Sequence, residues 1–242
     1  MVYDPLHGVQ RGVFSVQRTR EVTETSPPSK HEAVYRKIRE RILNGSYRPG
    51  SRLVLSAIAR DLDVSPVPVR EAIRRLEAEN LVTFERNVGA RVNTLDDDTW
   101  EQLVETLAVL DGYATRRAQF AITPAAITEA QRLNDALRRY ADGPADHDEV
   151  MRLHRAFHRT IYSHADNEYL IESLDRVWDR IDASRVLVSS WPARRLASAV
   201  DEHDGILSQL RAGDVDPAEL ERCTRQHNLN AIIAIQGRGE LG

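Results

Sequence analysis

The sequence predicts a mainly α-helical protein in two parts: a small unit of helices and a hairpin, then an antiparallel all-helical bundle of about six helices. Three observations lead to this prediction. Apolar residues recur at helical spacing along most of the 242 residues, and segments typical of strands occur only before position 95. Charge divides at the same place, because residues 1–95 hold 16 basic and 11 acidic side chains whereas residues 96–242 hold 17 and 26. A basic part followed by an acidic part indicates different partners, and an anion such as nucleic acid is expected for the first.

Composition excludes several classes of protein. The single cysteine, Cys223, excludes an intramolecular disulfide framework and a zinc finger built on cysteines. Apolar runs fall short of the roughly 18–20 residues that a membrane span needs. The arginines near the N-terminus are not followed by the apolar segment of a secretory signal. We therefore expect a soluble, cytoplasmic protein with no membrane partner.

The N-terminal part is expected to begin with a flexible tail. Residues 1–28 show no sustained hydrophobic period and end in Pro27-Pro28, which blocks a helix. From Ser29 apolar residues fall at helical spacing until Asn44-Gly45, a pair typical of a helix C-terminus. A turn then leads into a short extended segment, Leu53–Leu55.

Two further helices are predicted to start at serines in N-cap positions. Ser56 precedes the first helix, which ends near Asp63. Ser65 precedes the second helix, whose first residue is Pro66 and whose last is about Asn80.

A two-stranded hairpin with a glycine in its turn is predicted over residues 81–93. Helix, helix-turn-helix and hairpin in this order predict a winged helix-turn-helix domain over residues 29–95. The helix that begins at Ser65 is then expected in the major groove of DNA, where arginine can bind guanine or phosphate. The candidate DNA contacts are Ser65, Val67, Arg70, Arg74, Arg86 and Arg91. The alternative is that the arginines of this helix pair with its own glutamates, Glu71, Glu77 and Glu79.

From Asp96 onward the sequence predicts helices alone, and residues 96–242 form the predicted second domain. Asp96–Asp98 places negative charge at a helix N-terminus, where the helix dipole favours it. Short connections predict antiparallel packing of the helices. The six expected helices run over residues 96–120, 124–142, 146–164, 168–188, 193–212 and 217–236.

Four of the eight histidines are spaced so that they could meet inside this bundle. His154 and His158 are four residues apart on the third helix and therefore project from one face. His203 lies in the fifth helix and His227 in the sixth. Several neutral imidazoles together bind Zn²⁺, Ni²⁺ or Cu²⁺. A zinc protease needs a glutamate directly after the first histidine of such a pair, whereas Arg155 stands there.

A long motif in the N-terminal part reads SPVPVREAIRRLEAENLV at residues 65–82, with Pro49-Gly50 before it and NVGARV after it at residues 87–92. It resembles the DNA-binding domain of GntR-type bacterial transcription regulators. The second part resembles FCD, the helical effector-binding domain of the FadR subgroup. The residues that carry this second resemblance are Phe157-His158, Asn167, Glu202-His203, Gly213-Asp214 and His227. Together the two resemblances cover about residues 30–236.

The resemblance implies a homodimer whose two winged domains bind a short palindromic operator in double-stranded DNA. It also implies a small organic acid that binds the helical domain and releases the DNA. Many members of the family hold a divalent metal ion, zinc being expected here with nickel as the second candidate, and its open positions accept the carboxylate of the effector. The matching ligand positions are His154, His158, His203 and His227. Neighbouring candidates for effector binding are Arg155, Arg159 and Asn167.

Three positions depart from the family pattern. His154 stands where an aspartate is usual, which removes a negative charge from the ligand set. Leu107 matches the position of a common arginine that pairs with carboxylates. Pro66 replaces an arginine at the start of the recognition helix, so one base or phosphate contact is lost and a different operator is expected.

The predicted function is therefore a ligand-responsive DNA-binding transcriptional regulator, a repressor as is usual in the family, and not an enzyme. The alternative is a metal-dependent enzyme with an accessory winged-helix domain, in which the four histidines hold a catalytic ion. A third interpretation keeps the regulator but makes the metal itself the signal. In a variant of that interpretation no metal binds, and the histidines share polar bonds in a structural role.

Overall fold

The computed structural model describes residues 30–85, 89–141, 146–184 and 193–236. The expected tail and the candidate DNA contact Arg86 lie outside these ranges. The order of the N-terminal elements confirms the predicted winged helix-turn-helix fold. These elements are α1 (Lys30–Leu43), β1 (Arg52–Leu53), α2 (Leu55–Asp61), α3 (Pro66–Ala78), β2 (Val82–Glu85) and β3 (Gly89–Val92).

The three N-terminal helices are each followed by a residue with a left-handed backbone. The φ angle is 75° at Gly45 after α1, 51° at Asp63 after α2 and 57° at Asn80 after α3. Glycine adopts this region freely, and aspartate and asparagine adopt it more readily than other residues. The breaks that the sequence predicts therefore have a backbone cause, although α3 ends at Ala78, slightly before the predicted Asn80.

Of the two predicted serine N-caps, one is confirmed in position, without a hydrogen bond from its side chain, and one is wrong. Ser65 precedes α3 in an extended conformation, and Pro66 is the first residue of that helix. In α2, by contrast, Ser56 lies inside the first turn, because the helix begins at Leu55. The carbonyl of Val54 accepts the first helical hydrogen bonds, so Val54 takes the N-cap position.

The three strands form one antiparallel sheet in the order β1-β3-β2. Arg91 of β3 pairs with Arg52 on one side and with Thr83 on the other. The predicted extended segment thus supplies a third strand, which ends at Leu53. The sheet and the three helices enclose a core of their own. Its most deeply buried members include Ile38, Ile42, Ile73, Leu76 and Leu81.

All six predicted helices of the bundle are present, with bounds close to the predicted ones. Asp96 caps the first of them, since its Oδ1 accepts a hydrogen bond from the Thr99 amide at 2.8 Å. The predicted end of the fourth helix lies outside the described residues. Within the described ranges, none of the helices has the length and apolar character that crossing a membrane requires. The helices are α4 (Asp97–Ala118), α5 (Pro124–Ala141), α6 (His147–Tyr162), α7 (Glu168–Ser184), α8 (Ala193–Ala212) and α9 (Pro217–Gln236).

Close contact between α4 and α9 depends on a glycine. A Cβ atom at Gly112 of α4 would lie 2.5 Å from Cγ of Arg225 and 3.0 Å from the carbonyl oxygen of Glu221, both on α9. Helix α4 also packs against α6 and α7, while α5 packs against α6 and α8. This packing surrounds one interior region with α4, α6, α8 and α9.

Helix α7 also contacts the N-terminal part of the chain. Ala183 packs into the core of the winged unit, and Asp179 pairs with Arg39 of α1. A large charged cleft runs along this contact, between α1 and α3 on one side and α6 and α7 on the other. The bundle and the winged unit are therefore joined through α7.

Candidate metal centre and nucleic-acid interface

The structure brings His154, His158, His203 and His227 together inside the bundle. The first two lie on α6, the third on α8 and the fourth on α9, and each is at most 3% exposed. One nitrogen from each ring lies within 4.8 Å of the others. The Nε2 atom of His227 lies 3.1 Å from that of His158 and 3.2 Å from that of His203, and His154 follows at 3.3 Å. The spacing of the sequence therefore does produce one cluster, while its role as a ligand set stays a prediction.

Three of the four rings are held from behind through Nδ1. The acceptors are Asp111 behind His158, Asn134 behind His203 and Glu202 behind His227, at 2.9, 2.9 and 2.7 Å. Because each Nδ1–H donates to its acceptor, each Nε2 presents a lone pair to the centre of the cluster. Such a partner behind a ligand histidine is the usual arrangement at metal sites.

The two carboxylates behind the cluster differ in their surroundings. Asp111 is 0% exposed, and its Oδ2 also accepts a hydrogen bond from Asn228 at 2.9 Å. Its Oδ1 is buried and has no hydrogen-bond partner among the described residues. Glu202, whose side chain is 27% exposed, forms an ion pair with Arg195 at 2.8 Å. One carboxylate is thus neutralised by a cation, and the other is not.

Burial keeps three of the imidazoles in the neutral form that binds metal. Burial lowers the pKa of His154, His203 and His227 well below the ordinary value of 6.5, and the neighbouring basic groups lower it further. A neutral imidazole offers a lone pair, whereas an imidazolium does not. Three members of the cluster are therefore ready to act as ligands at neutral pH.

The residues of the cluster fit a divalent cation. Lone pairs that face one another at 3.1–3.3 Å repel unless a proton or a cation lies between them. Nitrogens bound to zinc at about 2.0–2.1 Å in a tetrahedron lie roughly 3.3 Å apart, which agrees with the distances from His227. The buried and unpartnered Oδ1 of Asp111 is a second sign of a missing positive charge.

A small cavity of about 10 Å³ lies against the cluster, with room for one water molecule at most. Leu107 stands in its wall, at the position where the family resemblance led us to expect an arginine. Arg195, which is 3% exposed, enters the same wall from α8. The other residues of the wall are Val104, His154, Trp178, Ile181, His227, Asn228 and Ala231.

The three candidate effector residues lie outside this cavity. Arg155 donates to Asp182 at 2.6 Å and to Asp179 at 2.9 Å, and it lines the charged cleft beside the winged unit. Arg159 lines the same cleft and pairs with Asp175. The side chain of Asn167 accepts a hydrogen bond from the Leu170 amide at the start of α7. Ion pairing and helix capping therefore occupy these residues in this structure.

Sequence reasoning missed four residues around the histidines: Asp111, Asn134, Arg195 and Glu202. Glu202 had a signal, because it precedes His203 directly in one of the family markers. The others come from parts of α4, α5 and α8 that carry no local motif. Only the packing of the helices shows that they meet the histidines.

The candidate DNA-reading face of α3 is exposed. Its buried side carries Val69, Ile73 and Leu76, whereas Val67 on the opposite side is 57% exposed. Because the apolar side is used against the core, the other side is available to a partner. The candidate contacts Ser65, Val67, Arg70, Arg74 and Arg91 are all exposed.

The alternative pairing of these arginines is present in part. Arg74 lies 3.4 Å from Glu71, and Arg75 pairs with Glu79 and with Glu32 of α1. Among the described residues, no carboxylate forms an ion pair with Arg70. Arg91 donates to the carbonyl oxygen of Gly50 at 2.8 Å. Arg70 is thus the arginine of α3 that is best placed to meet a phosphate or a base.

Two family models match the chain. Residues 30–92 match the gntR family of bacterial regulatory proteins, and residues 101–230 match the FCD domain. Both matches fall on the two structural parts described above.

Known proteins share this arrangement. The chain is 31% identical to the Nta operon transcriptional regulator of Aminobacter aminovorans, over 68% of this chain and 75% of that protein. It is 26% identical to the transcriptional repressor GlaR of Escherichia coli, over 84% of this chain and 94% of that protein. The solved structure of E. coli McbR/YncC superposes with a TM-score of 0.75 at 21% identity, covering 88% of this chain and 99% of that one.

Proposed function

The chain belongs to the GntR family and carries an FCD domain, and on that premise we propose that it is a repressor released from DNA by a small organic acid bound beside the four histidines. It is a transcriptional regulator and not the metal-dependent enzyme considered above, since its relatives are regulators. Its similarity to a protein named as a repressor supports repression rather than activation.

Recognition of DNA is assigned to the exposed face of α3 and to the hairpin beside it. Ser65, Val67 and Arg70 read base edges in the major groove, while Arg74, Arg86 and Arg91 lie on or near phosphates. The exposure of the five described residues supports this assignment. The guanidinium of Arg70, which forms no ion pair with the described residues, supports it most directly.

The four histidines would hold a divalent cation, zinc being the first candidate and nickel the second. Such a cation would supply a Lewis-acidic centre that could accept an anionic oxygen of the effector as a fifth ligand. Leu107, Trp178 and Ile181 exclude water on the cavity side, and the guanidinium of Arg195, which pairs with Glu202, also lies in the wall. An acid is the effector class that this combination favours. The convergence of the four Nε2 atoms is the observation that carries the proposal.

Binding of the effector must enlarge the cavity, because its present volume admits no organic acid. Effector contacts would therefore favour a different arrangement of the bundle, and a coupling of about 1–3 kcal/mol to DNA binding would be enough for regulation. We place Arg155, Arg159 and Asn167 among the residues that such a rearrangement exposes to the effector.

The remaining features of the proposal follow from the family. They are membership of the FadR subgroup, a homodimer with two winged units on a palindromic operator, and a cytoplasmic location. The domain boundaries proposed are 29–95 and 96–242, with residues 1–28 as a tail.

Elemental analysis tests the ligand set first. The wild-type protein, treated with chelator and reloaded with Zn²⁺, is compared with a His158→Ala/His203→Ala variant. We expect about one zinc ion per chain in the wild type and none in the variant. Absence of zinc from the wild type reloaded with Zn²⁺, and of nickel from a second sample reloaded with Ni²⁺, would remove the metal from the proposal and leave DNA binding in place.

Operator binding tests the second half of the proposal. A binding site is selected from random duplexes, and the wild-type protein is titrated onto it with Zn²⁺ and a panel of small carboxylates. At least one acid is expected to weaken DNA binding in the wild type and to have no effect on the double variant. Equal release from both proteins would show that the histidines do not form the effector site.

A further inference from the structure

Asp111 is the most unusual charged residue in the bundle. It lies on α4 and is 0% exposed, and its Oδ2 accepts two hydrogen bonds, one from the Nδ1–H of His158 and one from the amide of Asn228. Oδ1 accepts none from the described residues. A buried carboxylate without a cationic partner is costly, and folded proteins keep such a group only where something offsets the charge.

The other ionised groups near the cluster do not offset it. Arg195 pairs with Glu202 at 2.8 Å, so these two charges cancel each other. Among the described residues, no lysine or arginine forms an ion pair with Asp111. The uncompensated negative charge therefore stands directly behind His158, on the side away from the cluster centre.

A cation held by the four histidines would create the opposite problem, an excess of positive charge. Four neutral imidazoles around a divalent cation would leave two positive charges in a region that is closed to water. None of the four ligands is anionic, so the compensation must come from behind them. The line from the cluster centre through the His158 ring ends at Asp111.

Given the metal site proposed above, on which this inference rests, we propose that Asp111 is the buried counter-ion of the cation held by the four histidines. It acts through His158 as a positioning residue: it fixes the tautomer of that ring and supplies negative charge to the site. When the cation binds, the single charge of Asp111 offsets one of its two positive charges. Asp111 is thus expected to set the metal affinity, while the histidines set the coordination geometry.

The substitution Asp111→Asn removes the negative charge of this side chain and keeps its shape. Asparagine has the same shape, and its Oδ1 can accept both hydrogen bonds that Asp111 Oδ2 accepts now. Orientation of His158 is then kept and the charge is lost, while the amide Nδ2 takes the place of the buried Oδ1. The matched control is Asp201→Asn, the same change on α8 two residues before His203, at a side chain that is 78% exposed and screened by water.

Zn²⁺ affinity is measured by competition with a chromophoric chelator for the wild type and both variants. We expect Asp111→Asn to weaken binding by about 10–100-fold, the usual effect of losing a partner behind a ligand histidine. Asp201→Asn is expected to bind as the wild type does. With Co²⁺ in place of Zn²⁺, the visible absorption spectrum of Asp111→Asn should match that of the wild type, because the ligands are unchanged.

Each other outcome overturns the inference. Wild-type affinity in Asp111→Asn would show that the charge has no role, and equal weakening in Asp201→Asn would show a general charge effect. A lower unfolding midpoint of metal-free Asp111→Asn together with an altered Co²⁺ spectrum would show a structural role. If the wild type itself binds no Zn²⁺, the metal site of the proposed function fails, and the inference fails with it.

Discussion

Arg70 and Arg74 extend from α3 into solvent, whereas the four histidines of the bundle are each at most 3% exposed. The two regions also differ in what holds their side chains. Arg70 has no ion-pair partner among the described residues, while three of the histidines are fixed by Asp111, Asn134 and Glu202. We expect the side chains of the exposed face to become ordered when DNA binds, whereas those of the buried site are already ordered in the folded protein.

This difference has an energetic meaning. A side chain that is ordered on binding loses rotamer entropy at that moment, so its contribution appears in the affinity for the partner. A side chain that is already ordered contributes to the folded state as well, because its buried polar atoms need their partners. Substitutions on the DNA face should therefore change binding alone, whereas substitutions in the bundle should change binding and stability together.

The largest effect that separates the two regions is expected at Arg70. Arg70→Ala should weaken binding to the selected operator by about 1–3 kcal/mol and relax the preference at one base position, if the guanidinium binds a guanine. Because Arg70 is exposed and forms no ion pair within the described part of the chain, the free energy of unfolding should change by less than about 0.5 kcal/mol. Fluorescence anisotropy with operator variants and chemical denaturation provide the two measurements.

Arg36→Ala is the matched control for this change. Arg36 is another exposed arginine of the winged unit, on α1, and it pairs with Glu32. Its removal should leave the base preference intact. If Arg70→Ala also leaves the preference and the affinity unchanged, α3 is not the recognition helix.

A second effect, of similar or smaller size, tests the packing that creates the buried site. Gly112→Ala places a methyl group 2.5 Å from Cγ of Arg225 and 3.0 Å from the carbonyl oxygen of Glu221, so α4 and α9 must separate. Overpacking of this kind costs about 1–3 kcal/mol of unfolding free energy. Since α4 carries Asp111 and α9 carries His227, Zn²⁺ affinity should fall as well. The base preference of the protein for its operator, which depends on contacts from α3, should not change.

Gly205→Ala, in the same bundle, is expected to change the free energy of unfolding in the opposite direction. A Cβ atom at Gly205 of α8 meets nothing within 4 Å, so the substitution should stabilise the protein by about 0.5–1 kcal/mol through helix propensity. Denaturant titration of both variants measures the direction and size of each change in unfolding free energy. Stabilisation by both, to the same extent, would mean that helix propensity rather than the α4–α9 approach controls stability here.

The sequence reveals the two regions to different depths. The winged unit is predictable because its signals are local: Asn44-Gly45, Ser65-Pro66 and the hairpin lie next to the elements that they delimit. The error at Ser56 has the same origin, since a serine at the start of a helix resembles an N-cap whether it lies before or inside the first turn. Helix bounds in the bundle are predictable for the same local reason.

Of the buried site, the sequence predicts the four histidines but not the residues behind them. His154 and His158 share a helix face, and a family pattern brings in His203 and His227. Asp111, however, lies 47 positions before His158 in the chain, and the contact depends on how α4 crosses α6. Long-range packing of this kind leaves no period or motif in the sequence. The same cause explains why Arg155 and Arg159, although next to the histidines along the chain, lie in the other cleft.

The smallest effect concerns the link between the two regions. On α7, Trp178 packs against His154 with ring centroids 5.7 Å apart, and the next residue, Asp179, pairs with Arg39 of the winged unit. One helix therefore contacts the buried site and the DNA-binding part through consecutive residues.

A double-mutant cycle with Arg39→Ala and Asp179→Ala should give a coupling energy of about 0.5–1 kcal/mol in unfolding, because the pair is mostly shielded from water. The cycle is needed since Asp179 also binds Arg155, so the single change at Asp179 removes two contacts. Repeated with Zn²⁺ bound, the cycle should give a different coupling energy if α7 responds to the site. Identical values with and without Zn²⁺ would mean that the Arg39–Asp179 contact on α7 does not respond to the buried site, and that the signal to the DNA-binding part travels by another route.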